Sequence, residues 1–176
     1  MSIFDLLVKD RPGVYLAGGA IRSEFDGTKI DDYDLFFDSK ARFSEMDAYL
    51  LSLGHAEKFR CPQGNLVTYD VTGNKVQLIG KLYNSSAAEI IQSFDFTASQ
   101  LARDGSGQLF TGNGSMADAV NKILRLNRLT YPVATLKRIG KYMAKGYVPH
   151  KDFFFDLSNA LAEIEPTSLN LERYFD

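Results

Sequence analysis

Apolar and polar positions fall in short blocks along the first two-thirds of the chain and lengthen into helical spacing towards its end. Met1–Val8 has helical spacing and is stopped by Pro12 and Gly13, which predicts a short helix. The apolar run Val14–Ala17 meets Gly18 and Gly19, a helical segment follows at Ile21–Phe25, and Tyr33–Phe37 is apolar again. That order reads as strand, glycine turn, helix, strand. Ser44–Leu53 has Ser at its N-cap position and Gly54 just past its end, which predicts a helix. Asn65–Asp70 and Lys75–Ile79 alternate across Thr72-Gly73-Asn74 as the arms of a hairpin. Ser85–Gln92 reads as a helix, Phe94–Thr97 and Gln108–Thr111 as short strands, and Gly105-Ser106-Gly107 as a turn between them. From Ser115 the spacing is helical through Ala119, Val120, Ile123, Leu124 and Leu126, and again over Val133–Ala144. FFFDLSNALAEI, in the stretch Lys151 to Asp176, reads as an amphipathic helix before a polar end. The class is α+β, with a head over residues 1–114 and a helical part over 115–176.

Candidate chemistry concentrates between Val14 and Phe37. Asp32 and Asp34 flank Tyr33, and residues two apart on a strand project to the same side, so both carboxylates can hold the same ions. Hard divalent cations, Mg²⁺ or Mn²⁺, take oxygen ligands and leave positions open for substrate phosphates. A glycine turn entering a helix offers backbone N–H groups to phosphate oxygens. Together these features point to a nucleoside triphosphate held over metal ions, with Asp32 and Asp34 as ligands and Gly18 and Gly19 beside the phosphates. Arg22 would face the phosphates from the helix or form a salt bridge at the surface. Asp31 should point to the opposite face, and Asp26 and Asp38 read as turn and strand-end residues. Asp95 lies between Phe94 and Phe96, and an acidic residue in an apolar segment needs a partner. It is either a metal ligand or a structural aspartate bonded to Thr97.

Charge sharpens this picture. Net charge is −2, yet no Asp or Glu lies between Ala119 and Lys151, where Lys122, Arg125, Arg128, Lys137, Arg138, Lys141, Lys145 and Lys151 all fall. Such a basic surface suits a phosphate-rich partner, a triphosphate or RNA, or else balances an acidic body. At 45% apolar and 24% charged residues, the composition is that of an ordinary soluble protein, with no stretch long and apolar enough for a membrane span. No secretory signal is evident, a single cysteine excludes an internal disulfide, and a cytoplasmic setting is expected.

These residues resemble the head and neck of the class II CCA-adding enzymes and bacterial poly(A) polymerases, within the polymerase-β nucleotidyltransferase superfamily. The first family motif, GGxVRDxLLGxxxxDxD, is matched by Gly18, Gly19, Ile21, Arg22, Gly27, Asp32 and Asp34 without a gap. The second, RRDFTINA, is similar to Ser93–Gln100, and a later stretch, DPFGGLxDLxxxxLR, resembles Thr111–Arg125 through Gly114, Asp118, Leu124 and Arg125. Pro132–Tyr147 resembles the arginine-rich neck helix weakly. The chain departs from the pattern in several places. Ser93 and Phe94 replace two arginines, Gln77 stands where a third carboxylate is expected, and Thr130, Tyr131 and Ala134 replace a base-reading motif. Domains that grip the tRNA elbow are not found.

The resemblance implies a polymerase-β-like head and a metal-dependent nucleotidyltransferase moving a nucleoside monophosphate from an NTP to a hydroxyl, an RNA 3′ end among the acceptors. It implies catalytic roles for Asp32, Asp34 and Asp95, with Asp95 as the third metal ligand or a ribose contact, and nucleotide contacts from Gly18, Gly19, Arg22, Arg125, Arg128 and Lys137. Two alternatives stand beside it. One is a degenerate member that binds nucleotide without turnover, to which Gln77 and the missing arginines point. The other is a transferase acting on a protein or small-molecule hydroxyl.

Overall fold

The computed structural model describes residues 2–164. The polar end expected after residue 164 lies outside them. Helix α1 (Ile3–Leu7) begins where Ser2 caps the Asp5 N–H and Asp5 answers with its carboxylate, a capping box that satisfies first-turn donors. Strand β1 (Val14–Ala17), helix α2 (Gly19–Asp26) and strand β2 (Tyr33–Phe37) follow in the order the apolar blocks dictate.

Helix α3 (Lys40–Ser52) starts four residues before the predicted point, because Ser39 rather than Ser44 accepts the first-turn N–H, from Arg42. An unforeseen edge strand, β3 (Ala56–Arg60), is exposed along its length and carries no alternation. β4 (Leu66–Val71) and β5 (Asn74–Ile79) form the expected hairpin, closed by Thr72 and Gly73 at positive φ as a type I′ turn requires. Helix α4 (Ala87–Gln92) is capped by Ser86 and Glu89. The strand expected at Phe94–Thr97 is only an isolated bridge from Phe96 to Leu126 and a 3₁₀ turn, Thr97–Ser99. The strand forms just afterwards as β6 (Leu101–Asp104), paired with β7 (Leu109–Thr111).

Helix α5 (Ser115–Val120) stops short of the predicted run because Lys122 takes φ 54°. The chain then forms β8 (Ile123–Leu124), helix α6 (Pro132–Ala144), β9 (Val148–Pro149) and helix α7 (Phe153–Ala162), with β8 and β9 paired in parallel.

The mixed sheet runs β3-β4-β5-β2-β1-β6-β7, with β2 and β5 parallel and the other pairs antiparallel. One face packs Leu16, Leu35, Phe37, Val67, Tyr69, Val76 and Leu78 against Phe43, Met46 and Leu50 of α3. The same cluster continues into Leu124, Tyr142, Tyr147 and Phe153 of the C-terminal elements. The other face packs Ala17, Phe36 and Ala102 against Ala87, Ile90 and Ile91 of α4. Each fully buried side chain of this size contributes about 1.5–3 kcal/mol. Where β1 ends and β2 begins, the β1 side of Asp34 on the second face carries only small residues, Ala17 and Ala102.

Candidate active site

Gly18 takes φ 79°, ψ −130°, a conformation open only to glycine, and this turns the chain from β1 into α2. Its N–H donates to the Leu101 carbonyl at 2.8 Å. No side chain caps α2, so its first-turn N–H groups have no intrahelical partner and suit an anion. The Phe94 ring comes within 3.4 Å of where a Cβ on Gly18 would sit, and closes that side of the turn.

The register sets the carboxylates beside this turn. Asp34 lies opposite Ala17 on β1 and Gln77 on β5, so the side chains of Thr68, Gln77 and Asp34 share one face. Burial, and then the negative charge of Asp32, raise the Asp34 pKa to about 7, against weaker opposing pulls from Lys75 and Arg138. Asp32 precedes the strand and pairs with Lys75 at 3.2 Å, at the exposed rim. Gln77 donates through Nε2 to Thr68 Oγ1 at 3.3 Å, a neutral contact in the third-carboxylate position.

Asp95 reaches the site through a cation. It is 8% exposed and accepts from Arg138 Nη1 at 2.5 Å across 43 residues of sequence. The same Arg138 charge is felt by Asp34. The Asp95 carbonyl accepts from the N–H groups of Asn127 and Arg128, and the Asn127 side chain holds the carbonyls of Gln92 and Phe94. The strand expected here therefore gives way to a loop pinned by Asn127, with Asp95 turned towards α6. Its partner is Arg138 rather than Thr97, whose hydroxyl donates instead to Asp118 at 2.5 Å.

The expected phosphate-facing cations divide. Arg22 is 4% exposed, with Nε 3.0 Å from Asp26 and its guanidinium over the Tyr142 and Tyr147 rings. The contact is an ion pair whose geometry falls short of a hydrogen bond from Nε. Tyr147 also donates to Asp26, at 2.7 Å. Asp26, expected as a turn residue, is thus the anchor of a buried network. Arg125 pairs with Asp118 at 3.1 Å and is partly exposed. Arg128 is exposed beside the Asp95 backbone, and its side chain has no ion-pair partner among the described residues. Lys137 lies on the exposed side of α6. Asp31, expected on the opposite face, pairs with Lys145 at 2.6 Å. Lys75 and Arg138, the two cations whose charge bears on Asp34, come from β5 and α6. The acid-free basic segment was a sign of the second, whereas Lys75 gave no signal before the parallel register was known.

Among the described residues no group of three or more His, Cys, Asp or Glu is arranged to hold a metal ion. The donor set nevertheless suits a hard divalent cation. Asp32 and Asp34 raise the local need for positive charge, and Mg²⁺ is held by one or two carboxylates when phosphate oxygens complete its shell. A groove of about 730 Å³ lined by Tyr15, Asp38, Ser39, Arg42, Asn84 and Ser86 opens at the other end of β1 and β2 and takes no part in this arrangement.

Solved structures share this fold. A CCA-adding enzyme in complex with CTP superposes with a TM-score of 0.70 at 19% identity, over 97% of this chain and 46% of its own. A Thermotoga maritima CCA-adding enzyme complexed with tRNA gives 0.65 at 17% identity, over 91% and 42%. A tRNA nucleotidyltransferase bound to a primer tRNA and an ATP analogue gives 0.63 at 18%, over 91% and 51%. The fold of this chain is therefore the one that these CCA-adding enzyme and tRNA nucleotidyltransferase structures share. By sequence the chain is 29% identical over 142 residues to Gabija anti-defense 2 of Bacillus phage SPbetaL7, covering 79% of this chain and 35% of that protein. It spans about a third of that relative's length. The model of the Gabija anti-defense 2 family proteins matches residues 2–122, and the chain belongs to that family.

Proposed function

We propose that this member of the Gabija anti-defense 2 family is a metal-dependent nucleotidyltransferase, and that it antagonises a host defence by modifying a hydroxyl with a nucleoside monophosphate. The observation that carries the reading is the meeting, at one end of the sheet, of an uncapped glycine-opened helix and the Asp32–Asp34 pair. Burial first, and then the charge of Asp32, raise Asp34 to about 7, a perturbation of the kind that clusters at functional sites.

In this reading the α2 first-turn N–H groups, exposed by Gly18 and Gly19, bind triphosphate oxygens. Asp32 and Asp34 would hold Mg²⁺ or Mn²⁺, which supplies charge neutralisation on the phosphates and a more acidic acceptor hydroxyl. That hydroxyl oxygen attacks the α-phosphorus, the bond to the bridging oxygen breaks, and pyrophosphate leaves. Arg125, Arg128 and Lys137 contribute positive potential around the nucleotide. Arg22, locked to Asp26, acts as a positioning residue that fixes α2 and with it the glycine turn. Asp95 orients the α6 cation beside the pair. Catalysis of this kind is mostly positioning and electrostatics, so loss of a carboxylate is severe.

A second reading, nucleotide binding without turnover, is favoured by Gln77, whose amide is spent on Thr68 where a third carboxylate would serve. The test is incubation with each α-labelled NTP, Mg²⁺ or Mn²⁺, and RNA or lysate of a host cell. Label entering RNA, protein or a small molecule, and absent with Asp34→Ala, supports transfer and identifies the acceptor. Nucleotide bound with no label transferred supports the second reading.

A further inference from the structure

Arg138, like Arg125 on Asp118, is a part-exposed cation set over a buried carboxylate. Its side chain is 42% exposed, while the Asp95 carboxylate that it touches is 7% exposed. The anion is fixed in the protein and the cation leans over it from α6, open to solvent. A guanidinium has five N–H donors in a planar fork, and the Asp95 contact uses Nη1, which leaves the rest of the fork for another ligand. The loop that carries Asp95 also sets the Phe94 ring 3.4 Å from where a Cβ on Gly18 would sit, which brings Arg138 to the side of the glycine turn, and its charge opposes the rise of the Asp34 pKa. Arg128 is exposed one residue beyond the Asn127 loop, its N–H on the Asp95 carbonyl at 3.2 Å. Lys141 lies a further turn along the same side of α6. Meanwhile the head offers no cation at positions 93 and 94, where Ser93 bonds the Ile90 carbonyl and Phe94 packs on Phe36.

We propose that Arg138 is the polyphosphate-binding cation of this site, with Asp95 as the anion it relinquishes when a triphosphate enters. The proposal rests on the reading that nucleotide binds at this end of the sheet, and it names the group that meets the phosphate charge. Asp95 and a phosphate oxygen are interchangeable partners for a guanidinium, since both accept charge-assisted hydrogen bonds in the same fork geometry. An empty site keeps Arg138 oriented on Asp95, and an occupied one turns the fork to the ligand. Because Arg138 belongs to α6 and the glycine turn to the sheet, binding would tie the two together.

The test uses inorganic tripolyphosphate in EDTA, so that neither base nor metal contributes, with affinity read by calorimetry on the full chain. Arg138→Gln should weaken binding about tenfold or more, and Arg138→Lys by less. Asp95→Asn should tighten it several-fold, because the competing internal anion is gone. Thermal melts verify that each variant is folded; should Asp95→Asn fail to fold, Arg138→Gln and Arg138→Lys still decide. Unchanged affinity in Arg138→Gln overturns the proposal, and so does a loss in Asp95→Asn as large as in Arg138→Gln. Failure of the nucleotidyltransferase reading looks different: tripolyphosphate still binds through Arg138, but no metal-dependent NTP binding or transfer is seen.

Discussion

At the scale of single residues, Asp34 shows what the site costs the fold. Its pKa, raised to about 7, means that at pH 8 the native state holds an ionised carboxylate against burial and against Asp32. The unfolded chain keeps this group ionised down to about pH 4. As pH falls from about 7 towards 4 the native state takes up the proton first, and stability rises over that window. Asp34→Asn should therefore stabilise the metal-free protein by roughly 1–3 kcal/mol at pH 8, with the gain shrinking towards pH 5, as read by urea unfolding. A fall in stability at pH 8 would mean that Asp34 is satisfied by contacts within the fold. Gly18→Ala is expected to go the other way, losing about 1–3 kcal/mol, because φ 79°, ψ −130° strains any side chain and the Phe94 ring stands 3.4 Å from the added carbon.

At the scale of elements, α2 is held by charge as well as by packing. Arg22 and Asp26 form a buried pair one turn apart, under Tyr142 of α6 and Tyr147 beyond it. Arg22→Ala leaves the Asp26 carboxylate without its cation and should cost about 3–5 kcal/mol, measured by chemical denaturation. Burial pushes the Asp26 pKa up, but hydrogen bonds from Thr28 and Tyr147 together with Arg22 outweigh it and hold the pKa below the usual value. Its stabilisation is complete above about pH 4 and is lost as pH falls through the lowered pKa. Tyr147→Phe should weaken that acid sensitivity and destabilise the protein at neutral pH.

The elements also show what could be read from sequence. β1, the glycine turn and β2 were legible because apolar blocks, two glycines and paired carboxylates coincide within one segment. β3 was not, since Ala56–Arg60 is exposed throughout and its place at the sheet edge comes from backbone pairing with β4 alone. The segment around Asp95 reads as a strand by composition, yet the Asn127 side chain takes the carbonyls of Gln92 and Phe94 and bends it into a loop. Arg22 carried the signature of a phosphate contact, and its burial became visible only when Tyr142 and Tyr147 were placed over it.

At the scale of the whole molecule, the separation of charge is the feature that looks outward. All 22 acidic residues lie outside the segment Ala119–Lys151, which holds eight of the 20 Lys and Arg. Part of this basic charge is already paired within the chain, Arg125 with Asp118 and Arg138 with Asp95, both buried carboxylates, and Lys145 with the exposed Asp31. If RNA is the acceptor, its affinity should fall steeply between 50 and 200 mM salt, roughly tenfold or more for a few phosphate contacts. Salt-insensitive acceptor binding would favour a protein or small-molecule hydroxyl. No described helix is long and apolar enough to cross a membrane.

The measurement that bears most directly on the central claim is NTP binding with and without Mg²⁺, by calorimetry, in the wild type and in Asp34→Asn. The expected result is tight, Mg²⁺-dependent binding in the wild type, with the metal dependence lost in a variant that is folded and no less stable. Equal Mg²⁺-dependent binding in both proteins would contradict the assignment of Asp32 and Asp34 as the carboxylates that hold metal and nucleotide.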